Sequence, residues 1–328
     1  MPRSRRRDNI IETVLQACRR DPVLATSGGH KVVVAFSGGP DSSALLHALS
    51  RGAASLGLDL LAVHVDHGLR PASAAAAEAA STVAARLGVA VEVHRARLQG
   101  GGEDAARGAR YRVLEGVAAR VRASTIAVGH TADDQAETVL LHLLRGSGLE
   151  GLAAMAPREG LRFRPLLGTW REQVEAHCAH YGLEPTHDET NDTTRFARNR
   201  VRHELIPLLE AAYNPRAREA LLRLAESARD EHAVVTGAAR RFLRRHASPY
   251  PLAAFNRLEA AVRVEVLRLA WASTAGLPGP AGDAARLRQA LEVLAAGRAG
   301  MIHLGRGFEL LVHTDDFEIR RPDVLTGA

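Results

Sequence analysis

Only two of the 328 residues are cysteines, Cys18 and Cys178, and they stand far apart with neither in a Cys-x-x-Cys pair. A disulfide scaffold, a zinc ribbon and a cysteine-ligated iron–sulfur cluster built by this chain alone are thereby all but excluded. Aromatic residues make up 4% of the chain, too few for broad stacking platforms against bases. No stretch of about 18 apolar residues is free of charge, so no transmembrane helix is expected. Lys31 is the one lysine among 43 basic residues, which leaves no other amine for a Schiff base or a Walker-type phosphate contact. The arginine excess itself reads mostly as a compositional bias.

The composition that remains is that of a globular protein, 46% hydrophobic and 24% charged, long enough for two domains. A net charge of +6 and a pI near 10 favour a polyanionic partner. The cationic start MPRSRRR resembles the lead of a secretion signal, but Asp8 and Glu12 interrupt any apolar core behind it. Ile10, Ile11, Val14, Leu15 and Cys18 instead share one helical face, and a cytoplasmic protein is expected.

Apolar runs at Val32–Phe36, Leu60–Val65, Val89–Val93 and Thr125–Val128 predict strands. Helical stretches near Ser42–Leu49, Ala72–Leu87, Glu103–Arg120 and Ala132–Leu144 lie between and after them. Such alternation predicts an α/β fold, a doubly wound, mostly parallel Rossmann-like sheet with both faces covered. The segments SGGPDS, HVDHGLR, HRARLQGGGED and GHTADDQ all follow strands and converge on one sheet edge, where ligands of such folds sit. GSGLEGL reads as a loop, Trp170–Tyr181 as an amphipathic helix, and the end of HDETNDTTRFARNRVRHELIP as helical. The character changes beyond Asn214-Pro215. The expected domains are therefore 1–212 and 213–328, the second smaller, mainly helical, and ending in short strands.

Ser37-Gly38-Gly39-Pro40-Asp41-Ser42 joins the first strand to a helix. Two glycines let backbone N–H groups approach an anion, and the helix start adds partial positive charge. The Ser37 and Ser42 hydroxyls can donate to phosphate oxygens, and Asp41 can hold Mg²⁺. The competing reading is a glycine turn into a capped helix. The Gly-Lys-Ser/Thr ending of a Walker A loop is missing.

VVVAFSGGPDSSALL resembles the pyrophosphate loop of the N-type ATP pyrophosphatases, the PP-loop superfamily. HVDHGLRPAS, GGEDAARGARYRVL, GHTADDQAETVLLHLLRGSGLEGLAAM, RPLLG and HDETNDTTRFARNRVRHELIPLLE follow in order. Together they resemble the tRNA(Ile)-lysidine synthetase family across roughly residues 30–210. The tail is loosely similar to that family's first C-terminal domain, and the second one of longer members is not expected. The resemblance implies an ATP-dependent ligase whose substrates are ATP, free L-lysine and tRNA(Ile) with a CAU anticodon, with Mg²⁺ as cofactor. In the implied reaction the C2 oxygen of the wobble cytidine attacks the α-phosphate and releases pyrophosphate. The lysine ε-amine then displaces AMP, which changes codon reading from AUG to AUA and charging from methionine to isoleucine. No membrane is implied, and no protein partner beyond a homodimer.

Site residues follow from the same resemblance. Asp41, Arg110, His130 and Asp134 form the implied catalytic set, with Asp41 and Asp134 toward Mg²⁺. Ser37, Gly38, Gly39, Pro40, Asp41, Ser42 and His64 form the ATP set. On the residues alone, His130 and Asp134 lie four apart and share a helix face, yet Asp133 and Asp134 would also complement the helix dipole. Gln135, Glu137 and Thr138 are left between fixing that helix and acting in the site. Arg107 competes with Arg110 for the α-phosphate. His64, Asp66 and His67 form an H-x-D-H cluster whose geometry fits adenosine contact better than metal ligation. Cys178 reads as packing. Arg195, Arg198 and Arg202, with Arg200 between them, and Arg240, Arg241, Arg244 and Arg245 read either as solvated faces or, on an enzyme acting on tRNA, as phosphate contacts. Rivals are a tRNA thiolase, which generally needs cysteines, an amidotransferase-fed synthetase, and a tRNA-binding protein with a dead nucleotide pocket.

Overall fold

The valine run at 32–34 lies at the centre of a six-stranded sheet. Its strand β1 (His30–Ala35) pairs with β2 (Leu58–Asp66) on one side and β4 (Thr125–Ala127) on the other, and β3 (Ala90–Arg95) lies outside β2. All these pairings are parallel, with Val32 opposite Leu60 and Thr125. A hairpin of two-residue strands, β5 (Arg158–Glu159) and β6 (Arg162–Phe163), gives the order β3-β2-β1-β4-β6-β5, with β5 alone antiparallel. The computed structural model describes residues 9–66, 73–95, 103–186, 196–276, 284–305 and 307–322. Among them no helix is long and apolar enough to cross a membrane.

Successive strand residues point to opposite faces, and the valines divide accordingly. Val32 and Val34 join a core with α1 (Ile10–Arg20), α2 (Pro40–Leu56) and α3 (Ser73–Arg86). Val33, Val63 and Ile126 pack instead on Tyr111, Leu114, Val117 and Ala118 of α4 (Glu103–Val121). Both faces are covered, which is why the strands read as unbroken apolar runs. In α1, Asn9 caps the first turn through its side chain, and Ile10, Val14 and Cys18 are buried as their helical spacing predicts.

After β4 come α5 (Ala132–Leu144), α6 (Leu149–Leu152) and α7 (Arg171–His180), whose N-cap is Trp170. The segment GSGLEGL, expected as a loop, contains the single helical turn α6. His142 Nδ1 lies 2.6 Å from the Gly151 carbonyl oxygen and ties that turn to α5. Downstream, α8 (Ala197–Arg200), a π-helical turn (Val201–Leu205) and α9 (Ile206–Ala212) run on as one helical stretch. Val201 and Ile206 pack there against Ala136 and Leu140 of α5.

The chain divides into two compact units, Met1–Ser227 and Ala228–Ala328. The division falls inside α10 (Ala217–Arg245), beyond the Asn214-Pro215 step where the sequence changes character. In the second unit the end of α10, α11 (Leu252–Asn256), α12 (Ala260–Ala275) and α13 (Ala284–Ala296) surround a four-stranded sheet. Its strands are β7 (Tyr250–Pro251), β8 (Gly300–Gly305), β9 (Phe308–Val312) and β10 (Asp316–Arg320), antiparallel in the order β7-β10-β9-β8. Phe255, Leu267, Leu294, Leu310 and Phe317 form its buried centre.

Candidate active site

The sheet order reverses between β1 and β4, so the helices after those strands leave in different directions and open a crevice. SGGPDS lies at the end of β1. Gly38 has φ +88°, a left-handed conformation that suits glycine, and a Cβ there would stand 2.9 Å from Thr186 Oγ1. Gly39 is the N-cap of α2 and Pro40 opens its first turn, where a missing N–H costs nothing. Ser42 Oγ accepts from the Ser37 N–H at 3.2 Å and donates to the Gly39 carbonyl at 3.0 Å, so the loop is shaped by its own hydroxyls. β4 ends against this loop. A Cβ on Gly129 would come 3.0 Å from the carbonyl carbon and oxygen of Asp41 and 3.2 Å from the Ser42 nitrogen.

Asp41 is the odd group in this arrangement. Its Oδ1 is buried and accepts no hydrogen bond among the described residues. Burial, and then the negative charge of Asp134, push its carboxyl up to about 7, against the pull of Arg171 and Arg202. The bare Asp41 oxygen is the donor that a divalent cation could use here, with the Asp134 carboxylate near enough to raise its pKa; among the described residues no larger cluster of acids or histidines gathers around them.

Asp134 stands at the third position of α5 and divides its two oxygens. Oδ2 accepts from the Thr131 N–H at 2.9 Å and its hydroxyl at 3.1 Å, while Thr131 Oγ1 accepts from the Asp134 N–H, a reciprocal capping box. Oδ1 faces Arg202 Nη2 at 3.4 Å and Arg171 Nη2 at 3.6 Å. Burial works against its charge, but the Thr131 N–H and the charges of Arg171 and Arg198 favour it, and the carboxyl lies below the ordinary range. Asp133, beside it, accepts from the Arg171 N–H at 2.8 Å and pairs with Arg218 at 3.0 Å. The two acids therefore fix this helix start and also line the crevice.

His130 is held neutral. Burial foremost, then the charges of Arg107, Arg164 and Arg198, lower its pKa well below the usual value against the opposing pull of Asp134. Its Nδ1 accepts from Arg164 Nε at 3.2 Å. His64 closes the crevice from β2, with Nδ1 3.1 Å from the Phe36 carbonyl oxygen, and burial lowers its pKa too. Arg110, on the exposed side of α4, lies within electrostatic reach of His64, whereas Arg107 lies within reach of His130 and Glu159. The two arginines thus attend different histidines. Asp66 ends β2, buried, 3.8 Å from Arg95 Nε.

The family profile of the PP-loop domain matches residues 8–209. A tRNA(Ile)-lysidine synthase of Salinispora tropica is 41% identical over 293 residues, which cover 85% of this chain and 87% of that one. That of Thermobifida fusca is 43% identical over 228 residues, 68% of each chain. The chain belongs to the tRNA(Ile)-lysidine synthase family of PP-loop proteins. The family member of Burkholderia mallei, 39% identical over 304 residues, is matched over 88% of this chain and 61% of its own length. A solved U34-tRNA thiolase from Methanococcus maripaludis, carrying a [4Fe-4S] cluster, aligns with a TM-score of 0.56 over 66% of this chain and 77% of its own. At 18% identity it shares the fold alone.

Within this family member, Arg198 and Arg202 are turned inward. Glu137, 1% exposed, takes Arg202 on both oxygens at 2.6 and 3.1 Å and has Arg198 Nε at 3.1 Å. Arg198 also donates to Thr138 Oγ1 at 2.9 Å. Gln135 accepts from the Met155 N–H and donates to the Met155 carbonyl, each at 3.0 Å, so it holds the chain after α6. Arg240, Arg241, Arg244 and Arg245 are all exposed on α10. Arg195 and His67 lie outside the described residues. Cys178 is buried, its thiol donating to the Pro40 carbonyl at 3.6 Å, and burial raises it to about 11, as burial raises Cys18 to about 12. Sequence reasoning passed over Arg164, Arg171 and Arg218. Arg164 stands in the quoted segment RPLLG, but nothing local marks it as a partner of His130.

Proposed function

We propose that this protein is an ATP-dependent ligase that joins L-lysine to C2 of the wobble cytidine in the CAU anticodon of tRNA(Ile). In the first step the cytidine C2 oxygen attacks the α-phosphate of ATP and pyrophosphate leaves. In the second the lysine ε-amine attacks C2 and AMP leaves, which gives lysidine and turns AUG reading into AUA reading. The name shared by relatives about 40% identical supports the overall reaction. The observation in the structure that carries it is Asp41, a bare carboxylate oxygen in the phosphate loop at the point where the sheet order reverses.

Asp41 and Asp134 would hold Mg²⁺, which neutralises phosphate charge when bound. The N–H groups of Gly38 and Gly39, the hydroxyls of Ser37 and Ser42 and the first turn of α2 receive the leaving pyrophosphate. His130, neutral, offers a donor to the transferring phosphate, and Arg110 stabilises charge developing there while His64 contacts adenosine. The exposed arginines of α10 contact tRNA phosphates. Arg198 and Arg202, through Glu137, Thr138 and Asp134, hold α5 in place for that chemistry. Thiolation is disfavoured by the chain's own cysteines, since both thiols are buried and raised well away from the thiolate form.

The deciding experiment incubates the protein with bulk tRNA, ATP and labelled lysine, then digests the tRNA to nucleosides. Lysidine is expected only when ATP is present, with pyrophosphate release dependent on isoleucine tRNA. Pyrophosphate release without label in any nucleoside would reject the reading.

A further inference from the structure

Building on the reading of His130 as a group that acts on the transferring phosphate, we propose that Arg164 is a positioning residue. It holds the His130 ring in the tautomer that carries its proton on Nε2. An arginine Nε always bears a proton and can only donate, so its partner 3.2 Å away, His130 Nδ1, must be bare. The one N–H left to the ring is then Nε2–H, facing away from Arg164. A ring with Nδ1 protonated would set donor against donor.

The arginine is itself immobilised. Arg164 is 3% exposed; Nη1 donates to the Ala156 carbonyl and Nη2 to Glu159, both at 2.8 Å. Its own N–H donates to the Pro157 carbonyl at 2.8 Å. Burial pushes the Glu159 carboxyl up, but the Arg164 hydrogen bond together with the charges of Arg164, Arg162 and Arg107 outweighs this and keeps it below the ordinary range. Two side-chain bonds on a backbone pinned by the third fix the guanidinium, so the Nε contact is available for orienting the ring.

Sheet pairing puts the two residues together. The Val128 N–H donates to the Phe163 carbonyl at 2.8 Å, and the Ile126 N–H to the Leu161 carbonyl at 2.7 Å. Arg164 follows Phe163 and His130 lies two residues past Val128, so the β4–β6 register sets their separation. The short hairpin β5–β6 thereby acquires a purpose: it carries an arginine to the back of a histidine at the sheet's working edge.

The test labels histidine with ¹⁵N in the full chain and reads ring tautomers from long-range ¹H–¹⁵N spectra, with the His130 signal assigned by its loss in His130→Asn. Wild-type protein is expected to show His130 protonated on Nε2. Arg164→Met is expected to give a mixture of tautomers and to slow single-turnover adenylation by about 10- to 100-fold, with the KM for ATP changed less than about twofold, the loss typical when a histidine's orienting partner is removed. A proton on Nδ1 in the wild type overturns the proposal, and that reading needs only the assignment variant His130→Asn to fold, not Arg164→Met. An Arg164→Met rate within about twofold of wild type also overturns it. Full activity in His130→Ala would instead refute the reading of His130 and leave the tautomer result standing.

Discussion

Replacing Gly129 by alanine tests how closely the phosphate loop must sit against the neighbouring strand. Gly129 needs no left-handed backbone, so within the folded protein the effect of a methyl there is steric. Its new carbon would lie 3.0 Å from the Asp41 carbonyl carbon and oxygen, backbone atoms that cannot rotate away, so the loop has to yield by a few tenths of an ångström. Overpacking of this kind costs about 1–3 kcal/mol, offset by roughly 0.4–1 kcal/mol from the less flexible unfolded chain. The net, from about 0 to 2.6 kcal/mol, lowers Tm by up to about 10 °C in a unit of this size. Activity should suffer in step. A 1 Å misplacement costs about 100-fold, so a shift of about 0.3–0.5 Å costs about 4- to 10-fold in the adenylation rate. Gly116→Ala is the control: it lies inside α4 with open space around its Cβ and should keep the rate while stabilising by up to ~1 kcal/mol. Single-turnover adenylation and thermal melts of both variants decide the matter. A Gly129→Ala protein with wild-type rate and Tm would refute the claim that the contact is tight.

Other outcomes follow from charge. Because the folded pKa of Asp41 is raised to about 7, its ionisation costs stability as pH rises from about 4 through 7; Asp41→Asn should therefore melt higher than wild type at pH 8, but not at pH 4, in metal-free buffer, and should lose adenylation. Normal adenylation in that variant would remove Asp41 from the mechanism. Changing Arg240, Arg241, Arg244 and Arg245 together to Gln should weaken tRNA binding and make its salt slope shallower by up to about 3, at roughly 0.7–0.9 per phosphate contact; an unchanged slope would return them to a solvated helix face. The lysine ε-amine, with a free pKa of about 10.4, must attack neutral, so transfer from preformed adenylate should accelerate from pH 7 to 9; a flat profile with intact protein would show that the deprotonation does not limit that step.

Much of the first unit was legible before any coordinates. Apolar runs buried on both faces stand out from any surroundings, and the observed strands differ from those expected by one or two residues at their ends. SGGPDS was legible because loop, glycines and helix start are contiguous. What was hidden depends on contacts across long stretches of chain. β5 and β6 are two residues each, too short for any periodicity to mark. His130 and Arg164 meet only through strand pairing, and the buried His47–His177 pair, with nitrogens 2.9 Å apart, joins α2 to α7 across 130 residues. Arg198 and Arg202 carry the composition of a nucleic-acid contact, yet Glu137, which draws them inward, lies more than 60 residues earlier. A charge run tells its sign, and only the fold tells what it faces.

The divided carboxylate of Asp134 constrains what substitution can do at that position. One oxygen closes the first turn of α5 and the other confronts two guanidinium groups. Asparagine retains an oxygen for the cap, but its amide must then present N–H groups to Arg171 and Arg202, four positive-leaning donors with no acceptor between them. Glutamate, a favoured capping-box residue, can keep the cap, but its extra methylene moves the second oxygen from the place Asp134 Oδ1 holds before the two arginines. Neither near-isostere reproduces both contacts that the aspartate makes. Loss of activity in any Asp134 variant accordingly mixes a frayed helix start with a missing charge, and the two become separable only when the cap is restored independently from the Thr131 side.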